Sequence, residues 1–343
     1  MEGGMVVGEG SQLPQILTTP EMSLFPALFV TILPRYRTFV LMKKALRPLL
    51  ILLLLAGHQW AFAQIDRGQL LADLKTLSSD EYGGRQTGEN ELARTYLLDA
   101  LSEFISSYPT MVDTFGFLNR LRKQYTGHNI TVTVPGTKYP DRYIVLSAHY
   151  DHVGTRDGVV YNGADDNASG TCALLALARH YRNNPPKHSI IFAFFDAEEM
   201  GLKGADRFVE DPPVDRDKIL LNINMDMVSR NPDRTINICG QYDFPELAKF
   251  LKKAKKKTDL TVTQMHEGPE YTGANNWTMS SDHGMFLKRG IPYLYFGVED
   301  HPGYHQPSDD FSEINPDFYY EVVQFVKETT NVFDKKLRGK SLR

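Results

Sequence analysis

Apolar residues recur at helical spacing from residue 69 to about 104: Leu70, Leu71, Leu74 and Leu77, then Leu92, Ala93, Tyr96, Leu97, Leu101 and Phe104. That period predicts two helices flanking a turn-rich loop, Ser79 to Gly88. Short runs of strand character follow at 130–134, 143–148, 189–195, 220–225, 235–238 and 292–296, and helical stretches at 169–182, 244–256, 281–288 and 318–333 separate most of them. The alternation predicts an α/β protein whose mixed, mostly parallel sheet is sandwiched between helices. The run Ile190 to Phe195 has no polar alternation, as expected of a strand covered on both faces. Pro135 to Asp141 reads as a hairpin or tight loop between two strands. No linker or repeat divides the body, so residues 64–343 are expected to form one domain.

The first 63 residues read differently. Met42-Lys43-Lys44, the apolar run Leu49 to Ala56 and Ala61-Phe62-Ala63 follow the order of a secretory signal peptide, with cleavage before Gln64. The apolar core is too short to span a bilayer. Upstream, Leu24 to Leu33 is partly apolar but broken by Pro26 and flanked by Pro34. A misassigned start accounts for it; the competing reading joins both apolar stretches into an uncleaved membrane anchor. Either way the body is expected to be exported: periplasmic, extracellular or outward-facing at the membrane.

Composition adds two exclusions. A formal charge of −4 gives no reason to expect a nucleic-acid partner, and the run Lys252 to Lys257 falls where a helix after Pro245 would end, complementing its dipole. With only Cys172 and Cys239, no disulfide framework exists and one optional bridge is the limit. Cys172 sits on an apolar helical stretch, where a buried free thiol is the plainer role.

Candidate chemistry gathers where strands end. His149 closes one strand, with Asp151 two residues on to fix its tautomer; Asp166 lies in the small-residue loop GADDNASG before a helix. Glu198 and Glu199 follow the most apolar strand, Asp226 follows another, and His305 sits beside Tyr304 in a Gly/Pro-rich loop. Each alone has a bland reading: a polar strand end, an N-cap by Ser169 or Ser281, an acidic helix start, aromatic packing by Tyr304. Jointly, carboxylates and imidazoles of this kind suit zinc, and one shared carboxylate lets five side chains hold two ions about 3.5–4 Å apart. Loops at the carboxyl ends of strands are where such positions converge.

These residues, in this order, resemble the co-catalytic di-zinc aminopeptidases, the secreted family that includes aminopeptidase Y and bacterial leucyl aminopeptidases. The resemblance rests on Gly84-Arg85-Gln86-Thr87-Gly88, HYDH at 149–152, GADDNASG, FFDAEEMGLKG, NMDMV, Ser281-Asp282-His283 and Tyr304-His305-Gln306-Pro307-Ser308-Asp309, nearly the whole of the body. It implies a three-layer α/β/α sandwich of the zinc-exopeptidase type and a cofactor of two zinc ions. Asp166 would bridge them, His149 and Asp226 completing one ion and Glu199 and His305 the other. Asp151 and Asp282 would stand behind the ligands, and the peptide bond after Asp166 would be cis. The implied reaction hydrolyses the first peptide bond of a substrate with a free N-terminus, through a water held between the zincs. Glu198 would act as general base, and the Tyr304 hydroxyl would stabilise the oxyanion.

Three rivals remain: a single-zinc glutaminyl cyclase of the same fold, a carboxypeptidase on a related fold needing a pocket arginine, and a non-catalytic receptor-like module that keeps the fold. The presence of all five ligands and Glu198 weighs against the last. No His-Glu-x-x-His helix and no Gly-x-Ser-x-Gly elbow supports another hydrolase class.

Overall fold

The computed structural model describes residues 64–119 and 121–337; the proposed leader and anchor lie outside the described residues. Helices α1 (Arg67–Leu77), α2 (Glu91–Ala100) and α3 (Ser102–Ile105) lead into strands β1 (Thr110–Leu118), β2 (Gln124–Val134) and β3 (Tyr139–His149). A small hairpin, β4 (Thr155–Arg156) with β5 (Val159–Val160), precedes α4 (Gly170–Asn183), β6 (His188–Phe195), α5 (Lys203–Glu210) and β7 (Ile219–Met225). Then come β8 (Thr235–Cys239), α6 (Ala248–Ala254), β9 (Thr261–Thr263), α7 (His283–Lys288), β10 (Tyr293–Gly297) and α8 (Pro316–Lys336). No helix among the described residues is long and apolar enough to cross a membrane.

Eight strands form one sheet in the order β1-β2-β6-β3-β7-β10-β8-β9. The central four, β6, β3, β7 and β10, run parallel, so their carboxyl ends share one edge. The β1–β2, β2–β6 and β8–β10 pairings are antiparallel, which makes the sheet mixed, as expected. Strand alternation splits the core into two layers. Ile144, Leu146 and Ala148 of β3 and Ile190, Phe192 and Phe194 of β6 share one cluster with side chains of α1, α4 and α8. Val145, Ile191, Ala193 and Phe195 point the other way, onto Phe208 and Val209 of α5 and Phe286 of α7.

Three elements depart from the sequence reading. Residues 135–138 do not close a hairpin: β2 and β3 are not neighbours, because β6 lies between them and pairs with both. Gly136 packs against the backbone of His188 and Lys187 at the start of β6, so the segment crosses that strand's end. β1 carries no apolar run because it is an edge strand with only Phe115 buried. The eight residues of α5 bury Gly204, Ala205, Phe208 and Val209, too short a stripe to stand out as a period. Both cysteines are buried and free.

Candidate metal centre

Strand ends deliver the site. His149 is the last residue of β3, Asp226 the first after β7, and Glu198 and Glu199 follow β6 by three and four residues. Asp166 precedes α4, and His305 lies in the turn after β10. The backbone is forced locally: Ala197, Met227 and His305, all flanking or within the cluster, have φ of 58°, 59° and 52°. Such left-handed conformations at non-glycine residues persist where surrounding structure fixes them. The Asp166–Asn167 peptide is cis, as the resemblance implies.

The structure brings all five proposed ligands together. His149 Nε2 lies 3.3 Å from Asp226 Oδ1 and 3.7 Å from Asp166 Oδ1. His305 Nε2 lies 3.0 Å from Asp166 Oδ2 and 3.1 Å from Glu199 Oε1. Asp166 therefore faces both imidazoles, one through each oxygen. Glu198 falls on the His149 side, where donor atoms of His149, Glu198 and Asp226 all lie within 4.8 Å of one another. His149 Nε2 and Asp226 Oδ1 are buried with no hydrogen-bond partner, a costly state that a cation between them would resolve. The donor set thus fits a pair of divalent cations.

Behind these groups the loops are locked. Asp151 accepts the backbone N–H groups of Glu198 (3.1 Å) and Glu199 (3.2 Å) and the Thr87 hydroxyl. Its carboxylate is 3.5 Å from His149 Nδ1, although that nitrogen is nearer the Asp151 carbonyl, at 3.2 Å. Asp309 accepts the N–H of Asp165 and Asp166, tying the His305 loop to the Asp166 loop. Asp196 receives Thr87, Asn90 and the His128 N–H at the end of β6. Arg85 is buried and donates to the carbonyls of Leu77, Tyr150, Asn162 and Gly163, joining the segments that carry His149 and Asp166.

Two capping expectations fail. Ser169 does not cap α4; its hydroxyl donates to the Asp165 carbonyl, and the Asn167 side chain accepts the Gly170 N–H instead. Ser281 accepts from Asn224, and neither it nor Asp282 caps α7 through its side chain. Asp282 is fully buried with both oxygens lacking a partner, and burial pushes its carboxyl up to about 8. It feels the His149 and Asp226 charges without bonding either.

Protonation follows from crowding. Burial drives Glu198 well above the usual carboxyl range, with the charges of Glu199 and Asp226 adding against that of His149. Burial opposes ionisation of Glu199 too, but His152 and His305 hold it well below that range. His305 is pushed up to about 10: burial works against the charge, and Asp166 and Glu199 prevail.

Sequence reasoning missed His152, whose Nδ1 is 3.0 Å from Glu199 Oε1. The signal was there in its place three residues after His149, but an imidazole in a loop has no period to expose it. Tyr304 stacks on His305, ring centroids 4.1 Å apart, and both line a cavity of about 240 Å³. Met227, Trp277, Tyr295 and Val298 supply that cavity's apolar wall, and Asp166, Glu198, Glu199 and Asp226 its charged floor.

Comparison with known proteins settles the lineage. The family model for peptidase family M28 matches residues 129–330, more than half of the chain. The chain belongs to peptidase family M28. A probable glutamate carboxypeptidase VP8 of Zea mays is 31% identical over 205 residues, 56% of this chain and 27% of its own length. Aminopeptidase YwaD of Bacillus subtilis is 29% identical over 192 residues, 52% of this chain and 38% of its own. The solved glutaminyl cyclase of Bacteroides thetaiotaomicron shares the fold with a TM-score of 0.65 at 20% identity, over 78% of this chain and 98% of that one. The chain spans between 27% and 66% of the length of the curated relatives matched first. Membership of M28 and the mixed-sheet fold agree with the resemblance read from the motifs.

Proposed function

We propose that this M28 peptidase is a metallo-aminopeptidase that removes the N-terminal residue of peptides at a pair of zinc ions. One observation carries the reading: His149, Glu199, Asp226 and His305, from four separate segments, gather around Asp166, with the Glu198 carboxyl beside the His149 and Asp226 donors. His149, Asp166 and Asp226 would hold one cation, and Asp166, Glu199 and His305 the other. When bound, the cations supply Lewis acidity toward the scissile carbonyl and toward water.

The chain's own groups do the rest. Glu198, half-buried beside His149 and Asp226, takes a proton from the attacking water and returns it to the leaving amine. Tyr304, which lines the same cavity, would donate its hydroxyl to the oxyanion. The substrate's first side chain meets Met227, Trp277, Tyr295 and Val298, which favours an apolar first residue.

Glu198→Gln tests the assignment. It should lower kcat on an aminoacyl anilide by about 10²–10⁴-fold while leaving the bound zinc count unchanged. Unchanged hydrolysis in the variant would remove Glu198 from the mechanism.

A further inference from the structure

We infer that His152 is a sixth metal-holding side chain, completing with Asp166, Glu199 and His305 a four-donor set for one cation of the pair. This deepens the two-cation reading above and rests on it. His152 Nδ1 stands 3.0 Å from Glu199 Oε1 and 3.6 Å from Asp166 Oδ2. His305 Nε2 stands 3.1 Å and 3.0 Å from the same two oxygens. These four donor atoms, two nitrogens and two oxygens, all lie within 4.8 Å of one another. A tetrahedral zinc with bonds of about 2.0–2.1 Å sets its donors about 3.3 Å apart, and these separations of 3.0–3.6 Å bracket that edge.

The ring is wedged there. His152 is fully buried, and its Nε2 has no partner, so Nδ1 is its one polar engagement. Gly163, at φ +55°, leaves no room to retreat: a Cβ there would meet His152 Cδ2 at 2.5 Å. The other donor group differs in kind. His149, Asp166 and Asp226 give three protein ligands, with Glu198 alongside. With one protein donor more, the cation beside His152 is the more firmly held of the pair.

Histidine labelled with nitrogen-15 and loading with cadmium-113 read this directly, without activity. The expected spectrum shows metal–nitrogen couplings on three imidazoles, His149 and His305 through Nε2 and His152 through Nδ1. His152→Phe should erase the Nδ1 coupling and weaken cadmium at one of two sites by at least about 10-fold. Two cadmium ions per chain with couplings on His149 and His305 alone would overturn the inference and leave the peptidase reading intact, since His152 would then only hydrogen-bond Glu199. A chain that takes up no cadmium overturns both. If the Phe variant fails to fold, the coupling count on the unsubstituted chain decides.

Discussion

Arg85 shows how one residue can govern a site it does not enter. Its guanidinium is buried and surrounded by backbone carbonyls from the end of α1, the residue after His149 and the approach to Asp166. Replacing it with Met leaves those carbonyls buried without donors, at about 1–3 kcal/mol each. Arg85→Met should therefore lose at least about 3 kcal/mol in urea unfolding, and Arg85→Lys, with fewer donors and no fork, should recover only part. Equal stability of all three chains would contradict this bridging role. At this scale the ligands were legible because His149, Asp166, Glu199, Asp226 and His305 carry chemistry in their side-chain types. Arg85 was visible only as part of a motif, and Asp196 and Asp309 not at all as site residues, because their work is on backbone amides brought together by folding.

Among the elements, α8 is fastened to the start of β6 by one carboxylate. Asp334 accepts the N–H of Lys187 and His188 and contacts His188 Nδ1 at 3.0 Å. Burial opposes its ionisation, yet these bonds hold its carboxyl below the ordinary range. A carboxyl depressed in the folded state contributes stability above its unfolded pKa of about 4 and loses it as pH falls through the folded value. Asp334→Asn should thus cost about 1.5–3 kcal/mol near neutral pH, with the gap to the parent chain closing as pH falls below about 4. Thermal melts across that range decide it; a gap independent of pH would show that charge plays no part. The long helices and central strands were readable from period alone, as Phe318 to Phe333 and Ile190 to Phe195 show. β1 and α5 were not, since an edge strand and a two-turn helix bury too few side chains to leave a pattern. The order of β2, β6 and β3 is a matter of long-range pairing that no local period encodes.

For the whole molecule, four parallel strands aim their carboxyl ends at one edge, and loops separated by up to 156 positions, from His149 to His305, meet there. Family M28 carries aminopeptidase and glutamate carboxypeptidase names among the relatives of this chain, and a glutaminyl cyclase shares its fold. The reaction therefore has to be argued from the site and not from the architecture. Metal analysis of the purified chain, run beside a panel of aminoacyl anilides, acyl-blocked peptides and N-terminal glutaminyl peptides, tests the central claim most directly. The account predicts two zinc ions per chain, hydrolysis of the anilides and its loss on chelation. One zinc with cyclisation of the glutaminyl peptides, or cleavage confined to acyl-blocked peptides, would contradict it.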